Sequence, residues 1–219
     1  MRKLIVGTFV SLDGVMQGPG GPEEDPTDGF THGGWSVNYW DEFMGRVMDE
    51  GTSEPYELLL GRKTYEIFAA HWPHVSDDPM ADKLNSIPKH VASRALDTVE
   101  WNNSNLITGD VAEYVAKLKE EDGPEIQVHG SWNLIQTLLR HELVDEFRVW
   151  IFPVLIGDGK RLFGEGTTPS GLRLVDTKTS STGVVIATYE RAGDIDYGSF
   201  ALEEPTEAEV DRRERQADG

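Results

Sequence analysis

Apolar residues along the chain form short runs, and these runs alternate with segments that are apolar on one helical face only. The first run, residues 3–10, is rich in β-branched side chains, which is typical of a strand buried on both faces. Further short strands are predicted at residues 57–60, 89–92, 105–107, 125–128 and 145–152. Amphipathic helices are predicted between them, at residues 41–48, 65–70, 111–118 and 132–141. This alternation indicates an α/β fold with a mainly parallel central sheet and helices on both faces.

The C-terminal part of the chain follows a different pattern. Residues 172–179 and 184–190 alternate well enough to predict an antiparallel hairpin at one edge of the sheet. From residue 194 the chain is acidic and poor in core residues. We therefore expect one domain over residues 1–193 and an acidic tail over residues 194–219. The tail could form a short helix behind a capping box at Thr206 and Glu209, or stay a solvated, disordered extension.

Composition excludes several classes of function. The 219 residues contain 20 Lys and Arg against 39 Asp and Glu, a net charge of −19, which opposes binding to a nucleic-acid backbone. There is no cysteine, so disulfides, thiolate metal sites and a cysteine nucleophile are excluded. The six histidines show no metal-ligand spacing, and we expect no metal site. No run approaches the roughly eighteen apolar residues of a membrane span, so a soluble cytoplasmic protein is expected.

Three turns between a predicted strand and the next element carry residues suited to anions. They are residues 61–64 (Gly-Arg-Lys-Thr), Ser93-Arg94 and Gly130-Ser131. Free N–H groups at a helix start bind phosphate, and cations nearby strengthen that binding. A glycine at such a turn also serves tight packing, and each turn alone is open to that interpretation. Because the carboxyl ends of parallel strands meet at one edge, the three turns together favour a ligand with several phosphates, such as a dinucleotide.

Five segments in this order resemble the dihydrofolate reductase-like superfamily, and most closely the branch that includes the reductase domain of bacterial riboflavin biosynthesis. They are KLIVGTFVSLDGVM (3–16), LLLGRKTYE (58–66), Ser93-Arg94, IQVHGS (126–131) and LVDEFRVWIFPVLIGDGKRLF (143–163). The resemblance covers residues 2–191. It implies a dihydrofolate reductase-like fold and an NADPH-dependent reductase that transfers hydride to a small heterocyclic or carbonyl substrate. It also implies a homodimer.

The resemblance implies positions for the NADPH contacts as well. Four residues would hold the pyrophosphate and the adenosine phosphates: Gly61, Arg62, Lys63 and Thr64. Two would meet the 2′-phosphate and so favour NADPH over NADH: Ser93 and Arg94. Four at the start of one helix would face the pyrophosphate and the nicotinamide ribose or line the site beside them: Gly130, Ser131, Trp132 and Leu134.

Two residues are candidates for contact with the substrate. Asp13 follows the first strand, where its carboxyl could bind a substrate or pass a proton once burial raises its pKa. It could equally be the aspartate of a plain Asp-Gly turn. Trp35 ends the Gly- and Pro-rich segment 17–34, which could fold over the site as a lid with Trp35 on the substrate. Trp35 also fits an anchored aromatic in a surface turn.

The substrate is left open by these patterns. Asp41 and Glu42 lie near the place of the substrate-binding carboxylate in folate-reducing members, but the match is loose and disfavours dihydrofolate. A phosphorylated aminopyrimidine of riboflavin biosynthesis would need a second cationic patch, for which Lys160 and Arg161 are candidates. Without cysteine, the chain cannot carry the zinc deaminase that accompanies the bifunctional enzyme. An alternative of another class is an NADP-binding sensor or scaffold without catalysis.

Overall fold

The strands form one mixed sheet in the computed structural model, which describes residues 1–217. Within that range the sheet has eight strands in the order β4-β3-β2-β5-β1-β6-β8-β7. Their bounds are β1 Leu4–Ser11, β2 Tyr56–Gly61, β3 Lys89–Ala92, β4 Ser104–Ile107, β5 Glu125–His129, β6 Glu146–Phe152, β7 Leu172–Thr179 and β8 Val185–Arg191. The first six are parallel, β8 runs antiparallel to β6, and β7 antiparallel to β8. The predicted sheet with its antiparallel C-terminal hairpin is confirmed.

Six α-helices connect or follow these strands within residues 1–217. Their bounds are α1 Glu42–Ser53, α2 Arg62–His71, α3 Pro79–Ser86, α4 Val111–Glu120, α5 Trp132–Arg140 and α6 Glu207–Ala217. Three of them begin behind an aspartate whose carboxylate accepts a backbone N–H of the first turn, at Asp41, Asp78 and Asp110. The sequence analysis did not predict α3, although the pair Asp78-Pro79 is a typical helix start.

The sheet separates two apolar layers. On one face, the cluster that contains Leu59 includes Val115 of α4 and Ile135 of α5. On the other face, Leu58 and Leu60 pack with residues of α2 and α3, while a separate cluster packs α1 against β6 and β8. Alternate residues of β2 therefore point to different layers, as the period of a strand requires.

The tail is exposed in the described part of the chain. Residues 194–206 form neither helix nor strand, and α6 buries no residue. The backbone N–H of Glu209 donates to Thr206 Oγ1 over 3.3 Å. Of the two alternatives for the tail, a short helix or a disordered extension, the structure thus has the helix, with Thr206 at its start. Residues 218–219 of the predicted tail lie outside the described residues, and the division at residue 193 stays a prediction. No helix in residues 1–217 is long and apolar enough to cross a membrane.

Candidate functional site

A cleft of about 1610 Å³ opens at the carboxyl ends of the parallel strands. All ten residues predicted to contact a dinucleotide line this cleft: Gly61, Arg62, Lys63, Thr64, Ser93, Arg94, Gly130, Ser131, Trp132 and Leu134. They come from the ends of β2, β3 and β5 and from the helices α2 and α5 that follow β2 and β5. The topology thus gathers the three predicted turns on one surface, as expected for parallel strands.

Two of these turns pack directly on each other. The backbone N–H of Gly61 donates to Ser131 Oγ over 2.9 Å. A Cβ atom at position 61 would lie 3.3 Å from Ser131 Cβ and 3.6 Å from Leu134 Cβ. The first distance is shorter than an ordinary van der Waals contact, so Ser131 would have to shift by a few tenths of an ångström. Gly61 therefore allows the close packing that was one of the two interpretations of this turn.

The turn before α5 has an unusual backbone. Gly130 and Ser131 have consecutive positive φ angles of 65° and 69°. The left-handed conformation costs little for glycine, but it is strained for serine. Neither α2 nor α5 has a side-chain cap at its N-terminus, in contrast to the aspartate-capped helices α1, α3 and α4. The first N–H groups of two helices are thus left for an anion in the cleft.

The cations of the cleft differ in their pairing. Arg62 forms an ion pair with Glu66 at 3.0 Å, while Lys63 lies 3.6 Å and Lys160 2.5 Å from the carboxylate of Asp25. Arg94 is exposed and has no ion pair or hydrogen bond within residues 1–217. The neighbouring Ser93 Oγ already accepts the N–H groups of Ala95 and Leu96, which shapes the turn that presents Arg94.

Asp25 belongs to a set of contacts that we call the loop latch, formed by Asp25, Thr27, Lys63 and Lys160. Thr27 Oγ1 accepts from Lys63 Nζ over 3.0 Å and from Lys160 Nζ over 2.7 Å. Burial works to raise the pKa of Asp25, but Lys160, Thr27 and Lys63 outweigh it and hold the pKa below its usual value. The latch joins segment 17–34 to the first turn of α2 and to the loop after β6, so this segment lies along the rim of the cleft.

Asp13 does not line the cleft. Its carboxylate accepts hydrogen bonds from Ser11 Oγ at 2.6 Å, from the N–H of Ile156 at 3.1 Å and from that of Gly157 at 2.7 Å. The hydrogen bond from Ser11 contributes most to lowering the pKa of Asp13, which falls to about 2. The expectation that burial raises the pKa of Asp13 is therefore wrong. Instead, Asp13 holds the loop after β6 against the turn after β1.

Trp35 also lies outside the cleft. Its indole N–H donates to the carbonyl of Gln17 over 2.8 Å, and its ring packs edge-on against Phe152 at 5.3 Å between centroids. The structure therefore does not place Trp35 on the substrate, because its indole N–H and its ring already contact other parts of the protein. The anchored aromatic, the other open interpretation, describes these contacts.

The second cationic patch is not assembled as predicted. Lys160 lines the cleft but is paired with Asp25, while Arg161 lies outside the lining, donates to the carbonyl of Gly157 and sits 3.6 Å from Asp13. Asp41 is likewise engaged elsewhere, since it caps α1 and accepts from both the N–H and the hydroxyl of Ser181. Asp41 does not line the cleft either.

A family model for the RibD C-terminal domain matches residues 2–186. The chain belongs to this family. Two relatives in Bacillus subtilis (strain 168) are the uncharacterised proteins YyaP and YwjB. YyaP is 32% identical over 201 residues, which are 88% of this chain and 96% of that protein. YwjB is 30% identical over 181 residues, 81% of this chain and 91% of that protein.

Solved structures show the same fold. A protein from Shewanella sp. PV-4, provisionally named as a riboflavin biosynthesis protein, superposes with a TM-score of 0.62 at 22% identity, over 87% of this chain and 99% of that one. A pyrimidine reductase-like protein from Corynebacterium diphtheriae gives 0.59 at 12% identity, over 88% and 93%. Dihydrofolate reductase from Enterococcus faecalis, complexed with NADP(H), gives 0.55 at 16% identity, over 86% and 96%. The predicted resemblance in family and fold is confirmed.

The sequence analysis missed an aromatic wall of the cleft, made of Phe9, Trp40 and Trp150. The rings of Trp40 and Trp150 are parallel, with centroids 5.8 Å apart, and Phe9 lies 5.4 Å from Trp150. Phe9 and Trp150 occupy directly paired positions of β1 and β6, which places them on the same face of the sheet. The strand alternation could have shown that shared face, but not that the face borders the cleft.

A polar floor lies beside this wall, formed by three residues that line the cleft, Gln127, His129 and Arg148, and by Glu125, which pairs with Arg148 outside the lining. Arg148 contacts Glu125 at 3.2 Å and Glu146 at 2.7 Å, and these carboxylates outweigh burial and raise its pKa. His129 Nε2 lies 2.8 Å from Gln127 Oε1, an amide oxygen that accepts a hydrogen bond. Burial, and then the charge of Arg148, lower the pKa of His129 to about 4, so that the imidazole is neutral at neutral pH.

Proposed function

We propose that this protein is an NADPH-dependent reductase that transfers hydride to a small heterocyclic or carbonyl substrate. One observation carries the proposal: ten predicted contact residues meet in one cleft with two helix N-termini and with Arg94, and within residues 1–217 these termini have no side-chain cap and Arg94 has no partner. Family membership supports it, and so does a fold shared with a dihydrofolate reductase that holds NADP(H). NADPH, when bound, supplies the hydride, and the protein supplies orientation and a site closed to water.

The donor set of the cleft fits a phosphorylated dinucleotide. The N–H groups at the starts of α2 and α5 would hold the pyrophosphate, with Thr64 and Lys63 beside them. Arg94, which has no competing carboxylate within residues 1–217, would hold the 2′-phosphate at the end of β3. Gly61 and Gly130 let the backbone come close, because no side chain stands at either position. The aromatic wall and the polar floor would then receive the molecule to be reduced.

We further propose that the protein works as a homodimer, as the family resemblance implies, and that it works in the cytoplasm. The proposal of an aminopyrimidine of riboflavin biosynthesis as substrate has less support, because Lys160 and Arg161 do not form a shared phosphate site. Analytical ultracentrifugation tests the dimer: a single species of one-chain mass would overturn it.

The reductase proposal is tested by thermal unfolding with NADPH and with NADH, for the unaltered protein, Arg94→Ala and the control Arg46→Ala on the exposed side of α1. A ligand at a hundred times its Kd stabilises by about 2.7 kcal/mol, which a melting curve resolves. We expect NADPH to stabilise the unaltered protein and Arg46→Ala, and Arg94→Ala to lose most of that effect. No stabilisation by either nucleotide would overturn the proposal. Binding without hydride transfer to any ring or carbonyl acceptor would indicate the sensor or scaffold instead.

A further inference from the structure

We propose that His129 recognises the substrate: its Nδ1 accepts a hydrogen bond from an N–H or O–H group on a planar ring. The proposal deepens the reductase function and rests on it, since it concerns the part of the same cleft that lies beside the predicted cofactor contacts. It adds a specificity-determining residue that the predicted site did not contain.

The position of His129 suits this role. It is the last residue of β5 and directly precedes the Gly130-Ser131 turn, so its side chain borders the predicted cofactor contacts. The neighbouring position on β1 is Gly7, which contributes no side chain that could cover the imidazole. The ring is half-buried and lines the cleft together with Phe9 and Trp150. A planar molecule between the turn and the aromatic wall would therefore meet His129.

The hydrogen bonds of Gln127 determine which nitrogen of His129 carries the proton. The amide nitrogen of Gln127 donates to Glu125 Oε1 at 2.6 Å and to the carbonyl of Gly51 at 3.3 Å. The amide oxygen must then face His129, and the Nε2 atom across 2.8 Å must be the donor. In the neutral imidazole Nδ1 is consequently an acceptor. Nδ1 has no hydrogen-bond partner within residues 1–217, and the residue that carries it lines the cleft.

The charges around His129 keep it an acceptor. Arg148 of β6 lies on the same face and disfavours protonation, while both carboxylates near it, Glu125 and Glu146, are already paired with Arg148. The aromatic ring of Tyr56 on β2 approaches the imidazole at 6.0 Å between centroids. The polar floor thus offers a lone pair without a free negative charge, which selects a neutral donor rather than a cation.

The aromatic wall indicates a second property of the substrate, a planar ring. Trp40 stacks on Trp150 with an angle of 1° between the rings and is only partly covered. Flat aromatic surfaces favour offset stacking with other planar rings. A planar heterocycle that carries an N–H satisfies both surfaces at once. A non-planar carbonyl compound would leave the wall unused.

The probes are lumazine, a planar bicycle with ring N–H donors, and 1,3-dimethyllumazine, in which both donors are methylated. Binding is titrated with and without saturating NADPH for four proteins: unaltered, His129→Phe, His129→Asn and the control His74→Phe, which alters an exposed histidine outside the cleft. Asparagine is the conservative variant, because its side-chain oxygen can take the place of Nδ1. Nitrogen-15 NMR of the imidazole reads the tautomer independently of any activity.

We expect the Nε2–H tautomer in the unaltered protein and binding of lumazine at least tenfold tighter than of its dimethyl form. That preference should disappear in His129→Phe, return in part in His129→Asn and persist in His74→Phe. An Nδ1–H tautomer, equal binding of the two probes, binding of neither, or a preference that survives His129→Phe would each overturn the proposal. Stabilisation by NADPH is measured on the same samples, so a failure of the reductase proposal is seen separately from a failure of this one.

Discussion

The backbone N–H of Gly61 donates to Ser131 Oγ over 2.9 Å, and this bond joins the starts of two helices that are separated by 70 positions in the chain. Ser131 holds a left-handed backbone conformation that is strained for serine, with φ 69° and ψ 57°. The bond gives a reason for a serine at that place, since its hydroxyl accepts the N–H of Gly61. The packing of α2 on α5 therefore includes a contact between a residue without a side chain, Gly61, and a residue with a strained backbone, Ser131.

Gly61→Ala tests this dependence. The added Cβ would lie 3.3 Å from Ser131 Cβ, so the two turns must move apart. We expect a loss of about 1–2 kcal/mol in the free energy of unfolding and weaker stabilisation by NADPH. Urea unfolding measures the first effect and thermal shift the second. Gly45→Ala is the matched control, because its Cβ would meet nothing within 4 Å in the middle of α1 and should stabilise by up to about 1 kcal/mol.

Asp13→Asn tests whether Asp13 has a structural or a catalytic role, since the sequence alone allows both. The amide would place an NH₂ group or a weaker acceptor against the two N–H donors of the loop after β6. We expect the free energy of unfolding to fall by about 1–3 kcal/mol, with NADPH affinity unchanged. Asp158→Asn, in the same loop and exposed, should behave like the unaltered protein. Loss of hydride transfer with unchanged stability would contradict the structural role.

Acidification should reveal the depressed pKa of His129. The unfolded chain protonates this histidine near pH 6.5, whereas the folded protein does so only near pH 4. Between these values the unfolded state binds more protons, so the contribution of His129 to stability falls as the pH is lowered through that window. The difference in unfolding free energy between the unaltered protein and His129→Asn should change by up to about 3 kcal/mol from pH 7 to pH 4. A constant difference over this range would contradict the assignment.

Asp25→Asn opens the loop latch. Lys63 and Lys160 then lose the carboxylate they share, and a phosphate in the cleft meets two uncompensated cations. We expect NADPH to bind about threefold tighter or more, and the amides of residues 17–34 to exchange with deuterium faster. The matched control is Asp28→Asn, on the same segment and also lining the cleft. Equal affinities in the two variants would show that Asp25 does not compete with the ligand.

The strands and the phosphate-facing turns could be predicted because their signals are local. The bounds of β3 and β7 match the predicted 89–92 and 172–179, and a turn at a strand end lies at one sheet edge wherever the sheet is parallel. Asp13 and Trp35 show the limit of such signals, since sequence gives their place on the chain but not the direction of their side chains. The tautomer of His129 could not be predicted from the sequence. It depends on the orientation of the Gln127 amide, and only the folded chain brings the carbonyl of Gly51 against that amide.

The uneven pairing of the cationic side chains has a consequence for discrimination between nucleotides. A phosphate at Lys63 or Lys160 must replace Asp25, so it exchanges one partner for another, whereas a phosphate at Arg94 makes an entirely new contact. Most of the favourable electrostatic free energy of NADPH binding would then come from the adenosine end of the nucleotide, far from the nicotinamide ring. Since both nicotinamide nucleotides carry the same pyrophosphate, the contact at Arg94 would account for most of the difference between their affinities.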